Sequence, residues 1–356
     1  MIHRFQRRRR WPRTSLRRGS TTAGLAAWSV ALALFVLPFL RDKDAASPEG
    51  DDWGRGVSEV DLPFAEDLAL FEEDFELELA DVLHEASERY FGLEGEALED
   101  SGLFHVQRLE PGRIQYERHC VGCHGSIGDG AGPAARHLEP RPRNFRKGVY
   151  KFTSTETGSR PLRSDLFGTI TRGLYGSSMP NFRLVGEEHR HDLVEYVRYL
   201  SIRGEFEQLM LDLSWEEEEP ADAEEVYEIV LDRWSTDGLR QVYPESSEPE
   251  RTAETVAHGR ALYMDVGQAN CVACHGETGR GDGPSAAAFL DDWGYPILPR
   301  DFTAGVFRAG STSADLYRSI ATGINGTPMG AFGGSLEAYD IWCMVHFVQQ
   351  LAGADQ

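Results

Sequence analysis

The chain has 356 residues, 36 Lys and Arg against 58 Asp and Glu, a formal charge of −22 and five cysteines. At roughly 100–200 residues per domain, that length accommodates about two globular domains with extra segments. The negative charge excludes non-specific binding to nucleic acid. Four of the cysteines belong to the two motifs described below, so no disulfide framework is available. Residues 1–43 hold ten basic residues and one acid, Asp42, which leaves 26 basic against 57 acidic side chains and a net of −31 in the remainder. Such a body suits docking to basic surfaces on a partner protein, although solvated acidic residues also serve plain solubility.

Residues 1–20 form an Arg-rich head, and residues 21–40 an almost uncharged apolar run. About 20 apolar residues suffice for a helix to cross a bilayer. Eight arginines before the run, with Arg41 and Lys43 after it, place the N-terminus in the cytoplasm. A cleaved signal peptide is the competing reading. The length of the run, and the charged Asp42, Lys43 and Asp44 ahead of Ala45-Ala46, favour an uncleaved transmembrane anchor. Residues 44–103 are acidic. Pro48, Gly50, Gly54 and Gly56 open this stretch as a linker. Leu68, Phe71, Phe75, Leu79, Val82 and Ala86 then recur at helical spacing. This helix either packs on the domain that follows or docks another subunit.

A first domain spans 104–203. A short helix from Pro111 to Arg118 leads into Cys120-Val121-Gly122-Cys123-His124. Two thiols followed directly by an imidazole are the attachment pattern for c-type haem: the sulfurs bond the vinyl groups and the His reaches the iron. In bacteria such haem is attached outside the cytoplasm, which agrees with an exported, periplasmic body on the inner membrane. A glycine-rich loop follows (Gly125, Gly128, Gly130, Gly132-Pro133), then Pro142-Arg143-Asn144-Phe145 and a helix over 166–170. A loop carrying Met179 comes next, and a closing helix over 187–200.

Residues 204–251 read as a second acidic spacer, with helical composition over 223–234. The second domain, 252–356, repeats the first. Cys271-Val272-Ala273-Cys274-His275 is followed by Gly276, Gly279, Gly281 and Gly283-Pro284, and then Pro299-Arg300-Asp301-Phe302. A constant offset of 150 pairs Asp165 with Asp315, Gly173 with Gly323, Gly176 with Gly326, Met179 with Met329 and Phe182 with Phe332. This is an internal duplication, so each assignment is made twice. Zinc on the four motif thiols is the alternative, but it leaves both histidines and the long intervening segment unexplained.

His124 and His275 are the proximal iron ligands on this reading, and Met179 and Met329 the distal ones. Met210, Met264 and Met344 have no counterpart in the other copy and read as apolar gap fillers. Arg143 and Arg300 either pair with haem propionates or are ordinary surface arginines. Cys343 reads as a buried free thiol among apolar neighbours.

These residues resemble those of class I cytochromes c, and specifically of dihaem proteins built from two such domains. The resemblance covers about 110–203 and 252–353. It implies an all-α fold with helices wrapped around each of two covalently bound haems. It also implies a proline carbonyl, from Pro133 and Pro284 here, accepting a hydrogen bond from each proximal His. His/Met ligation fills both axial positions, which favours electron transfer over chemistry at an open iron. The expectation is therefore a membrane-anchored electron-transfer protein among respiratory partners, compatible with a place as subunit of a larger complex. A dihaem peroxidase is the alternative; it requires one haem with a distal site that opens.

Overall fold

The computed structural model describes residues 79–92, 96–235 and 241–353. Among the described residues the regular structure is helical, apart from one isolated antiparallel bridge between Leu290 and Pro296. The head and the transmembrane run expected at 1–20 and 21–40 lie outside the described residues, as do Leu68, Phe71 and Phe75. Among the described residues no helix is long and apolar enough to cross a membrane.

Helices α1 (Leu79–Phe91) and α2 (Glu96–Asp100) precede the first domain. That domain contains α3 (Leu109–His119), α4 (Val121–His124), α5 (Arg163–Arg172), α6 (Glu187–Glu217) and α7 (Ala223–Trp234). The second contains α8 (Ala253–Met264), α9 (Val272–His275), α10 (Ser313–Thr322) and α11 (Ala338–Leu351). Local chemistry sets several starts. The Thr312 hydroxyl accepts from Asp315 N–H at 3.1 Å, and Asp315 reaches back to Thr312 N–H at 3.2 Å. Together these satisfy two donors that the first turn would leave orphaned. Asp165 accepts from Leu162 N–H at 3.0 Å in the matching place.

Each domain is held by one crossing of its first helix over its last. On α3, a Cβ at Gly112 would overlap the Asp192 carbonyl of α6; on α8, one at Gly259 would overlap the Cys343 carbonyl of α11. Only glycine lets the backbones approach this closely. One turn further on, Tyr116 packs against Tyr196 (centroids 5.3 Å apart) and Tyr263 edge-on against Phe347 (5.2 Å). Their hydroxyls donate to the Gly125 and Gly276 carbonyls at 2.8 and 2.7 Å. Each crossing is thereby tied to the turn that follows the Cys-x-x-Cys-His motif.

The acidic spacer expected at 204–251 is corrected over its first half. The closing helix of the first domain does not stop near 200 but continues as α6 to Glu217, burying Phe206, Met210 and Leu211. Its acids point inward because arginines meet them, one from the same helix and the others from separate segments. Glu207 is shared by Arg146 and Arg203, and Glu205 by Arg160, Arg233 and the indole of Trp234. Helix α7 packs on this extension through Val226, Val230 and Trp234. Helix α1 packs there too: Tyr199 donates to the Phe91 carbonyl at 2.8 Å, and Ser87 donates to Glu207 at 3.2 Å. The buried face of α1 is Leu79, Leu83, Ala86 and Tyr90, whereas Val82 faces solvent. This part of the acidic segment is therefore a helix packed on the first domain.

Burial alone would raise the Glu207 carboxyl, but Arg146 and Arg203 together outweigh it and leave it below its ordinary range. Its contribution to stability is thus present above the ordinary carboxylate pKa and is lost as pH falls through the depressed one. Glu207→Ala should destabilise the first domain by about 3–5 kcal/mol in denaturant titration, since it leaves buried guanidinium charge uncompensated. The second domain's transition should stay in place.

Candidate functional site

In each domain the two motif cysteines lie on one short turn, with the histidine at its end. Cys120, Cys123, Cys271 and Cys274 are half-buried and form no disulfide. Burial pushes the Cys120 thiol up to about 12 and that of Cys271 to about 11. Among the described residues no group of three or more His, Cys, Asp or Glu could hold a metal ion, so the four thiols do not converge on a zinc site. Each turn instead presents a separate pair of sulfurs beside an imidazole.

The imidazoles are fixed in the same way twice. His124 Nδ1 lies 3.0 Å from the Arg143 carbonyl, and His275 Nδ1 lies 3.3 Å from the Arg300 carbonyl. A carbonyl only accepts, so Nδ1 carries the proton and Nε2 keeps its lone pair for iron. Burial lowers both histidines below their ordinary value, which keeps the rings neutral. Phe145 stacks on His124 and Phe302 on His275, each with ring centroids 4.5 Å apart.

This corrects the role expected of Pro133 and Pro284. Those prolines sit where the glycine-rich loop pairs with the motif's own backbone: Ala134 N–H donates to Gly122 O at 2.9 Å, and Ser285 N–H to Ala273 O at 2.8 Å. The loop then turns through Gly128 and Gly130, and the Pro-Arg-x-Phe run is laid alongside it by Phe145 N–H donating to Gly128 O at 2.7 Å. Phe302 N–H donates to Gly279 O at the same distance. The carbonyl that meets each imidazole thus comes from the arginine of this run. The signal was present in the sequence as the doubled Pro142-Arg143-Asn144-Phe145 and Pro299-Arg300-Asp301-Phe302.

The methionine loops match in hydrogen bonding despite their different neighbours, Ser178-Met179-Pro180 and Pro328-Met329-Gly330. Leu174 N–H donates to Met179 O at 3.1 Å, and Ile324 N–H to Met329 O at 3.0 Å. Ser177 and Thr327 hydroxyls accept from Met179 and Met329 N–H, both at 3.2 Å. Gly173 and Gly323 open the loops with φ of 69° and 67°, a conformation that a side chain resists. Both methionines are half-buried. Met210 and Met344 are fully buried, in keeping with gap filling.

The family model for cytochrome c matches residues 109–201 and again residues 256–352, together more than half of the chain. The chain belongs to the cytochrome c family. A solved chain from the Kuenenia stuttgartiensis reducing HAO-like protein complex Kustc0457/Kustc0458 is similar to it, with 34% identity and a TM-score of 0.55. That similarity covers 68% of this chain and 96% of the solved one. No curated protein matches the chain. Each cytochrome c domain carries one attachment site, Cys120 and Cys123 in the first and Cys271 and Cys274 in the second, for two covalently bound haems c.

Arg143 and Arg300 are both half-buried. Arg300 Nε donates to the Val306 carbonyl at 2.7 Å. Cys343 is fully buried on α11, and burial raises its thiol, so it behaves as a small apolar residue. His258 is engaged by Asp340 at 2.7 Å and His119 packs edge-on to Phe182, so neither is needed as an iron ligand.

Replacing Cys120 and Cys123 by Ala should remove one haem per chain and leave the other. Acid–acetone extraction followed by pyridine haemochrome assay measures this directly. The unmodified protein should retain two equivalents, and release of haem into the acetone would contradict covalent attachment.

Proposed function

We propose that this dihaem cytochrome c is a membrane-anchored electron-transfer subunit of a larger redox complex. It takes electrons at one haem and passes them on from the other. Each haem, when bound, supplies an iron that gains and loses a single electron. The reading is carried by the duplicated methionine loop, whose backbone hydrogen bonds are the same in both domains. His124 and Met179 in one domain, and His275 and Met329 in the other, would supply both protein ligands to each iron. Such an iron moves electrons with little rearrangement and offers peroxide no open position, which sets the reading apart from a dihaem peroxidase.

The similar solved chain belongs to a complex of two proteins, and this supports a subunit role here. The net of −31 outside the first 43 residues favours a partner with a basic docking surface. Residues 21–40 would hold the chain in the bacterial inner membrane by a single pass, with residues 1–20 cytoplasmic and the haem domains periplasmic.

Met179→Ala and Met329→Ala should each abolish one haem's share of the near-infrared sulfur-to-iron band and lower that haem's potential. Each variant should gain carbon monoxide binding, and the unmodified protein should bind it poorly. Rapid peroxide turnover by the unmodified protein, coupled to a reduced donor, would overturn the carrier reading.

Full-length protein should fractionate with membranes, and chain beginning at Asp44 behind a cleavable signal should be soluble and carry two haems. A mature N-terminus near Ser47, found by sequencing the native protein, would refute the anchor. Gentle solubilisation from native membranes should bring a second redox protein down with the intact chain.

A further inference from the structure

Between Pro284 and Pro299 the second domain carries six residues more than the first does between Pro133 and Pro142. The additional length folds into a tight loop. Asp291 N–H donates to Tyr295 O at 2.9 Å, and Asp291 Oδ1 accepts from the N–H groups of Trp293 and Tyr295, both at 3.1 Å. This loop reaches the first domain. Lys151 pairs with Asp291 at 2.8 Å, with side chains only 16% and 9% exposed, and Lys147 donates to the Asp292 carbonyl at 3.1 Å. Between those contacts the Arg143 guanidinium lies over the Trp293 ring, 3.4 Å from its centroid. That is a favourable cation–π arrangement.

One buried donor at this junction lacks an acceptor, and the cation stacked on it has no carboxylate in contact among the described residues. Trp293 Nε1 is buried without a hydrogen-bond partner. The six-membered edge of the same indole abuts Gly326 of the Met329 loop, which leaves the Nε1 edge turned away from that loop. Arg143 forms no ion pair with a carboxylate among the described residues; Asp291 and Asp292 act on it only from a distance, and burial draws it down to about 10. Buried polar hydrogens of this kind are normally satisfied, and a half-buried guanidinium gains from a carboxylate partner. Arg143 is also the residue whose carbonyl fixes His124.

We propose that Trp293 and Arg143 together bind a propionate of the first haem, so that a loop of the second domain completes the first domain's cofactor site. A carboxylate accepting from both the indole N–H and the guanidinium removes both deficits at once, and a haem attached at Cys120 and Cys123 brings carboxylates with it. The lysines and aspartates around the pair hold the loop against the first domain. Trp293 is then a positioning residue that acts on the iron through the propionate. Withdrawing its N–H leaves the propionate charge less compensated, which disfavours the electron added at iron. The inference rests on haem attachment in the first domain and is independent of the partner or direction of electron flow.

The test is a redox titration of the two-haem protein, with resonance Raman of the propionate bending bands. Trp293→Phe keeps the ring on Arg143 and Gly326 and removes only the N–H; Arg143→Lys removes the planar donor set. The first haem's step is identified as the one that persists when Cys271 and Cys274 are replaced by Ala. Met179→Ala, which should lower that same step, provides a second identification if the cysteine variant does not fold. The expected result is that Trp293→Phe and Arg143→Lys each lower the first haem's midpoint and shift a propionate band, with the double variant less than additive. Added acetate should change neither, since the carboxylate is already covalently in place. A folded, two-haem Trp293→Phe protein with an unmoved first step, or with a shift confined to the second, would overturn the proposal. So would acetate-dependent recovery of the wild-type midpoint, which would identify the site as one for free carboxylates.

Discussion

The constraint on which both domains depend is the contact of two helix backbones at a glycine. At Gly112 and Gly259 the first helix of a domain lies so close to the last that any side chain would strike a carbonyl. From that crossing Tyr116 and Tyr263 reach the turn after each Cys-x-x-Cys-His motif. The turn in turn positions the glycine loop, the loop aligns the Pro-Arg-x-Phe run, and the run supplies the carbonyl that orients the imidazole. The orientation of each imidazole is therefore set by a chain of backbone contacts, and side-chain identity matters mainly where a glycine or an aromatic ring is required.

The first domain adds a second stabilising system that the other lacks. Helices α1, α6 and α7 enclose Glu205 and Glu207, which four arginines neutralise from separate parts of the chain. Buried ion pairs of this sort add little net stability over apolar packing but cost a great deal when one partner is lost. They specify which helices meet. The acids are thereby folded inward beside an apolar core that includes Phe91, Phe206, Tyr227 and Trp234.

Much of this was legible in the sequence, and the gaps have physical causes. The motifs, the 150-residue offset and the methionine loops could be read because their chemistry is local and appears twice. The extension of α6 could not: Glu205 and Glu207 resemble solvent-facing acids until Arg160 and Arg146, 45 and 61 positions away, are brought to them. The imidazole partner was missed because a carbonyl carries no signature of residue type, so Pro133 was as plausible a source as Arg143. The reach of Trp293 onto Arg143 depends on how the two domains meet, which no periodicity within either one encodes.

The loop bearing Trp293 also changes the symmetry of the molecule. Arg143 and Lys151 have counterparts in Arg300 and Arg308, yet the first pair meets the inserted loop, while the second pair meets Gly176 at the mouth of the opposite methionine loop. Two equal copies could associate like with like, as identical subunits do about a two-fold axis. Here the surfaces are unlike, so the contact pairs a first domain with a second. Covalent linkage through residues 204–251 raises the local concentration of the correct mate far above that of any other chain. The duplication has thus become a heterodimer in one polypeptide, with ends that are chemically distinct to whatever approaches from outside.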